Sequence, residues 1–204
     1  MCRFFLWCSL FLGISAFGQV QWSKTLKELD LRGVTIDMRF IQGLKLTTHA
    51  SDEVALSTQS EGEYQLQYVV VTQHEDRWLT VYPQRVPAFN TLNDKLSAHK
   101  VIAMTLEMQI PEAIVVEIEA TRGAIDISGR YRELKVQLDE GSLKMTHRAE
   151  QSVIKTKGAS VFLNVDSGMI ESNTETGRVI GSIRPNQNYR YQISSQNGPI
   201  YLNQ

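Results

Sequence analysis

Five stretches of the C-terminal half decide the fold: Gly123-Ala124-Ile125-Asp126-Ile127, Gly141-Ser142-Leu143-Lys144-Met145, Gly158-Ala159-Ser160-Val161-Phe162-Leu163, Gly177-Arg178-Val179-Ile180 and Gly198-Pro199-Ile200-Tyr201-Leu202. Each is a glycine followed by alternating apolar and polar residues, the pattern of a strand with one buried face. Successive glycines lie 18, 17, 19 and 21 residues apart. Gly168-Met169-Ile170 falls near the middle of one interval, so each interval holds two strand-turn units. Between the glycines lie further alternating runs: Val115 to Ala120, Leu134 to Asp139, Val153 to Thr156 and Tyr189 to Ser194.

A recurrence near 20 residues that delivers two short strands and a glycine corner is the mark of stacked coils. A single coil exposes its apolar stripe, and the next coil covers it while pairing the backbone. The sequence therefore predicts an all-β protein whose back half is a β-solenoid of about 20-residue coils. An antiparallel β-sandwich is the alternative, because sandwiches also place turns every 8–12 residues. The exposed end of such a stack is expected around Gly198–Leu202, as an open coil that needs capping or a partner strand.

Strand signals also dominate the front half. Val34 to Phe40, Leu44 to Thr47 and Val54 to Thr58 alternate, while Tyr64 to Thr72 and Trp78 to Tyr82 flank a polar hairpin loop, Gln73 to Arg77. A run from Lys100 to Ile110 ends at Pro111, which has no N–H for a ladder. Pro83 to Lys100 breaks the rhythm, with Leu92, Leu96 and His99 at helical spacing; a connection of that length is more often functional than neutral.

The chain has 204 residues, 42% hydrophobic and 21% charged, with a formal net charge of −1. That balance argues against nucleic acid as a partner. Met1 to Gly18 reads as a secretory signal, with Arg3, an apolar run from Phe4 to Ala16, and small residues at Ala16 and Gly18 before a cut at Gln19. The run is short for a permanent membrane helix, and no later segment is apolar enough to span a bilayer. Cys2 and Cys8 both lie in this leader, so the mature chain would hold no disulfide, thiol nucleophile or cysteine-bound metal. Residues 19–204 are expected as one domain, with a front half at 19–110 and the glycine-corner half at 111–204.

Chemistry-bearing residues are sparse. The histidines His49, His74, His99 and His147 are scattered. His74-Glu75-Asp76 places ligand types side by side, but neighbours on an extended chain point in opposite directions, so a solvated hairpin tip is the reading. His99 and Asp94 share the long loop with nothing to bring them together. Asp126, Asp139, Glu140 and Asp166 sit at glycine corners, where carboxylates bond the local backbone without an ion. No calcium-loop, phosphate-loop or hydrolase motif is present. Trp22, Trp78, Tyr64, Tyr68, Tyr82, Tyr189 and Tyr191 lie within strands and default to packing. The chain therefore carries no predicted catalytic, cofactor-binding or metal-binding residues.

The run Ile118-Glu119-Ala120-Thr121-Arg122-Gly123-Ala124-Ile125-Asp126-Ile127-Ser128-Gly129, followed by Leu134-Lys135-Val136 and preceded by Ile110-Pro111, resembles the bacterial adhesin-like β-strand-repeat families of auto-transporter adhesin head-domain type. The exported Bacteroidetes members are most similar, and Gly43-Leu44-Lys45 and the stretch from Asn93 to Val101 share in the likeness. The resemblance covers residues 100–204 well and the front half loosely. It implies a right-handed β-helix or roll at the cell envelope and no catalytic residues. Lys135, Lys144, Lys155 and Lys157 depart from it by giving the outer face a solvated character.

The expectation is an exported, non-enzymatic envelope protein in the periplasm or at the cell surface, a binding or structural module without cofactor. An envelope protein or polysaccharide is the expected partner. The alternative is a periplasmic polysaccharide-active enzyme with a groove along the coils. A ligand-sensing regulator acting through the front half is a third reading.

Overall fold

The structure, a computed structural model, describes residues 20–27, 30–61, 67–87 and 103–203. They form one mixed 13-stranded sheet and no helix. The strands are β1 (Val20–Leu26), β2 (Gly33–Asp37), β3 (Gly43–His49), β4 (Val54–Glu61), β5 (Tyr68–Glu75), β6 (Trp78–Arg85), β7 (Ala103–Pro111), β8 (Val115–Thr156), β9 (Ser160–Leu163), β10 (Met169–Thr174), β11 (Val179–Gly181), β12 (Arg190–Ser195) and β13 (Ile200–Leu202). The leader and the stretch from Ala88 to Ile102, with Asp94 and His99, lie outside the described residues, as does Tyr64.

Strand β8 is a 42-residue stretch that serves two ladders. In one, Val115–Glu119 pairs β2, which pairs β6 and then β5; further along, Gln151–Thr156 pairs β12, which pairs β10. In the other, Ala124–Ile127 pairs β3, then β7, β4 and β1, while Ser142–Met145 pairs β9, then β13 and β11. Every back-half pairing in these ladders is parallel, which excludes the antiparallel sandwich there. Antiparallel pairs are confined to β1–β4–β7 and the β5–β6 hairpin. That hairpin is tighter than its sequence suggests, because Asp76 and Arg77 both take positive φ, at 49° and 64°, and turn the chain in two residues.

Alternation does the packing. Val34, Ile36, Val116, Ile118, Leu134, Val136 and Ile154 point inward from one ladder, and Leu44, Leu46, Ile125, Ile127, Leu143, Met145, Val161 and Leu163 from the other, into a single core. Each such side chain contributes about 1.5–3 kcal/mol of burial. Passes of the chain 18 residues apart lie side by side, as Lys135–Glu117, Lys157–Asp139 and Arg148–Asp166 show. The corners bring backbone against backbone. Gly141 has φ +118°, and a Cβ there would overlap the Gly123 carbonyl oxygen.

Chain order and spatial order part at both ends. β2 and β3, early in sequence, are inserted between β6 or β7 and β8. Likewise β12 and β13, last in sequence, lie between β8 or β9 and the earlier β10 and β11. The expected exposed end at Gly198–Leu202 is thereby overturned, since Ile200 and Leu202 are buried and the outer strands are β10 and β11. Side chains explain the exchange. Beside Ile193, Ser195 and Leu202 of the inserted strands, the outer strands place Ser172, Thr174 and Gly181. The more apolar segment takes the interior position. Smaller departures follow local chemistry: β2 stops at Asp37 before Phe40 at φ 67°, and β6 continues through Pro83, beyond the last β2 contact at Val81.

Gly141→Ala is expected to cost about 2–4 kcal/mol in chemical denaturation through backbone overlap and the disfavoured φ. Gly158→Ala should cost under about 1 kcal/mol, because its Cβ would first meet the Glu140 carboxylate, 3.3 Å away on a flexible side chain. Ending the chain after Arg184 removes β12 and β13 and leaves β10 and β11 without a neighbour. Hydrogen exchange should then accelerate in Gln151–Thr156 and Val161–Leu163 as well as in the outer strands; protection kept in those two segments would contradict the insertion.

Candidate contact surface

Parallel register places outward side chains in rows across the sheet. One row runs Glu107, Lys45, Asp126, all exposed, with Lys45 Nζ 3.8 Å from Glu107. On the same ladder another runs Lys144, Phe162, Tyr201, Ile180. Phe162 and Tyr201 stack with ring centroids 4.7 Å apart and planes 7° from parallel. That spacing is the strand-to-strand distance, so the backbone ladder sets the stack. Phe162 is 38% exposed and Ile180 37%. The outward row on the other ladder is polar except for the half-buried Val153, with Lys135–Glu117 at 2.9 Å and a Gln192–Glu171 hydrogen bond of 3.2 Å. An apolar strip thus marks one ladder, near the open end.

The corner carboxylates do not bond their own turns as expected. Asp139 accepts from Lys157 Nζ at 2.7 Å and Asp166 from Arg148 Nη2 at 2.8 Å, each across one pass. Asp126 stands in the outward row beside Lys45. No three potential metal ligands come together among the described residues. His49 accepts through Nδ1 from the Ser51 backbone N–H at 3.2 Å, closing a local turn, and His74 sits exposed opposite Leu79 in the hairpin. Trp78 lies against Gly33 and donates from Nε1 to Thr35 Oγ1 at 2.8 Å. Trp22 is exposed on β1, Tyr68 stacks on Phe40 at 4.3 Å, and Tyr191 is wholly buried.

His147 is not a surface residue but a core one, at 3% exposure. Its Nε2 shares a 2.8 Å hydrogen bond with Ser152 Oγ, and Nδ1 has no partner. Tyr131 and Tyr191 flank the ring edge-on at 5.9 and 5.5 Å, and the Tyr191 hydroxyl donates to the His147 carbonyl at 3.3 Å. Burial pushes the imidazole down to about 4, since nothing nearby compensates its cation. This is a neutral packing histidine.

The sequence reading missed Phe162, Tyr201 and Tyr131. The signal was available for the stacked pair: each occupies the outward position between two core residues after a glycine corner, Val161 and Leu163 in one case, Ile200 and Leu202 in the other.

No family model matches the chain, and no curated protein does either. A solved structure shares its fold. A "putative cell adhesion protein" from Clostridium sporogenes superposes with a TM-score of 0.57 at 11% identity, over 91% of this chain and 99% of its own. A "putative adhesin" from Bacteroides fragilis gives 0.41 at 10% identity, over 90% and 97%, and one from Parabacteroides distasonis 0.30 at 11%, over 89% and 97%. At these identities the likeness is one of architecture, and the Clostridium structure alone of the three carries it with weight.

His147 makes stability depend on pH. Its folded value of about 4 lies below the ordinary 6.5, so on acidification the unfolded chain takes up a proton before the folded one does. Stability should fall as pH drops from about 6.5 to about 4 and then level, a loss of about 3 kcal/mol from this group. His147→Gln, measured by urea denaturation across that range, should flatten this part of the profile; an unchanged slope would place the titration elsewhere.

Proposed function

We propose that the chain is an exported, non-enzymatic β-solenoid, an adhesin-like binding module of the cell envelope, working in the periplasm or at the surface after removal of residues 1–18. Residues 19–204 act as one domain, and the parallel registers 18 to 21 residues apart are its coils. The leader pattern supports export, and the architecture shared with the Clostridium structure supports the adhesin-like reading.

The observation that carries the proposal is the apolar strip Phe162–Tyr201–Ile180, exposed at Phe162 and Ile180 and half-buried at Tyr201. Its chemistry favours a protein over a polysaccharide. A sugar stacks on an open aromatic face, but here each ring gives one face to the other and turns its second toward a row neighbour, Lys144 beside Phe162 and Ile180 beside Tyr201. The corner acids speak against the polysaccharide-cleaving alternative. A glycosidase needs an acid and a base set about 5–10 Å apart around a bond, whereas Asp139, Asp166 and Glu117 are engaged by Lys157, Arg148 and Lys135.

The test follows the full chain by immunoblot in fractions of cells that express it. It should appear outside the cytoplasm, in the envelope fraction, and resist release by 1 M salt, which screens ionic contacts but not apolar ones. Phe162→Ser with Tyr201→Ser should shift at least tenfold more protein into the soluble wash while leaving the circular dichroism spectrum unchanged. Cytoplasmic location, or retention indifferent to the double substitution, would overturn the proposal.

A further inference from the structure

The two ends of the sheet are finished differently. At one end the outer strands β1 and β5 run antiparallel to their neighbours. There Lys24 reaches from β1 to Thr72 of β5 at 3.0 Å, and Lys27 follows beside Glu53. Lysine on an edge strand opposes further pairing. At the other end, β10 pairs only β12 and β11 only β13. Neither outer strand contains lysine, arginine or proline. Both carry exposed apolar side chains, Met169 at 49%, Val179 at 43% and Ile180 at 37%. Among the described residues nothing covers their outer backbone edges.

We propose that this open end binds a second copy of the chain, end to end, about a two-fold axis normal to the strands. β11 then pairs antiparallel with β11 of the second copy, centred on Ile180, and β10 with β10, centred on Ser172. The occupant follows from the surface. The end presents two open edges, one in each ladder, and a lone peptide strand satisfies only one of them, whereas a second copy offers both.

The register is self-complementary. About Ile180, each isoleucine faces its own image, Val179 faces Gly181, and Arg178 faces Ser182. The apolar strip that ends at Ile180 continues into the second copy as Ile180, Tyr201 and Phe162. About Ser172, Ile170 faces Thr174 and Glu171 faces Asn173, so no like charges are opposed. The same two-fold operation keeps inward residues inward and outward residues outward, as strand pairing demands. The proposal goes beyond the envelope-binding reading and shares Ile180 with it, but it rests on the open edges of β10 and β11 and not on the identity of an envelope partner.

Cysteine scanning with sedimentation tests it. In the full chain carrying Cys2→Ser and Cys8→Ser, Ile180→Cys is the sole thiol. Directly opposed Cβ atoms in an antiparallel pair lie about 4.5–5.5 Å apart, close enough for a disulfide after small adjustment. Mild oxidation should convert Ile180→Cys to a covalent dimer at least tenfold faster than Trp22→Cys on β1, at the opposite end. In the unmodified chain, sedimentation equilibrium between about 1 µM and about 1 mM should show a reversible dimer. Ile180→Lys, which sets two cations face to face, should raise its dissociation constant at least tenfold, as should Asn173→Glu, which sets a second carboxylate opposite Glu171 of the second copy, with thermal unfolding unchanged. A monomer throughout the range, a dimer indifferent to both Ile180→Lys and Asn173→Glu, or faster cross-linking through Trp22→Cys would each overturn the proposal. Envelope retention of Asn173→Glu, which lies on β10 outside the apolar strip, separates the two readings: retention at the unmodified level with dimerisation lost leaves the binding reading standing.

Discussion

Parallel pairing of successive passes governs this molecule, because it sets every side chain directly beside its counterpart about 4.8 Å away. A position in one pass is therefore a row across the sheet, and chemistry is decided row by row. Inward rows are apolar with few exceptions, such as Thr156 beside Ser195, since a polar residue there meets another pass rather than water. Outward rows are free to vary, and they do so in ordered ways: opposite charges alternate at Glu117–Lys135 and Lys45–Glu107, while Phe162 and Tyr201 stack. The exposed ion pairs contribute about 0–1 kcal/mol each, so they tune register and solubility more than stability. Burial of the inward rows supplies the stability.

Corners limit how closely the passes approach. Two backbones reach contact where the chain turns, and the row constraint extends to them: Gly141 needs the space beside Gly123, and Gly198 the space beside Ala159. Glycine at these points serves close approach as much as backbone freedom. The same crowding accounts for the His147 cluster. There Tyr131, His147 and Tyr191 pack edge to face in the core. The tyrosine hydroxyls find carbonyls at Ser128 and His147. The imidazole stays uncharged because only a serine hydroxyl meets it.

Glycine spacing and alternation made the back-half strands legible, and with them the buried side of Ile125–Ile127, Leu134–Leu138 and Val161–Leu163. Period alone does not name the neighbour, however. A strand recurring every 18 to 21 residues pairs equally well with the pass before it or with one further along, so the insertion of β12 and β13 inside β10 and β11 was invisible to spacing. The trace of it lay in composition. Met169-Ile170-Glu171-Ser172-Asn173-Thr174 is poor in core residues beside Tyr191 and Ile193. The stacked aromatics were equally hidden, because Phe162 and Tyr201 are 39 positions apart and become neighbours only through the inserted order.

Insertion also explains why surface of potential use collects at one end. A chain that stacked in simple order would finish on its last segment, Ile200-Tyr201-Leu202, whose apolar side chains would then be bare. Folding that segment inward trades two core residues at the edge for Val179 and Gly181 and leaves an outer strand of the same length with less apolar surface. The exposed residue of apolar character is thereby reduced but not removed, and it is concentrated where two backbone edges are open. The opposite end uses antiparallel strands and lysines to close itself. A molecule closed at one end and open at the other has a direction, and the two open edges follow from the same row constraint that builds the interior.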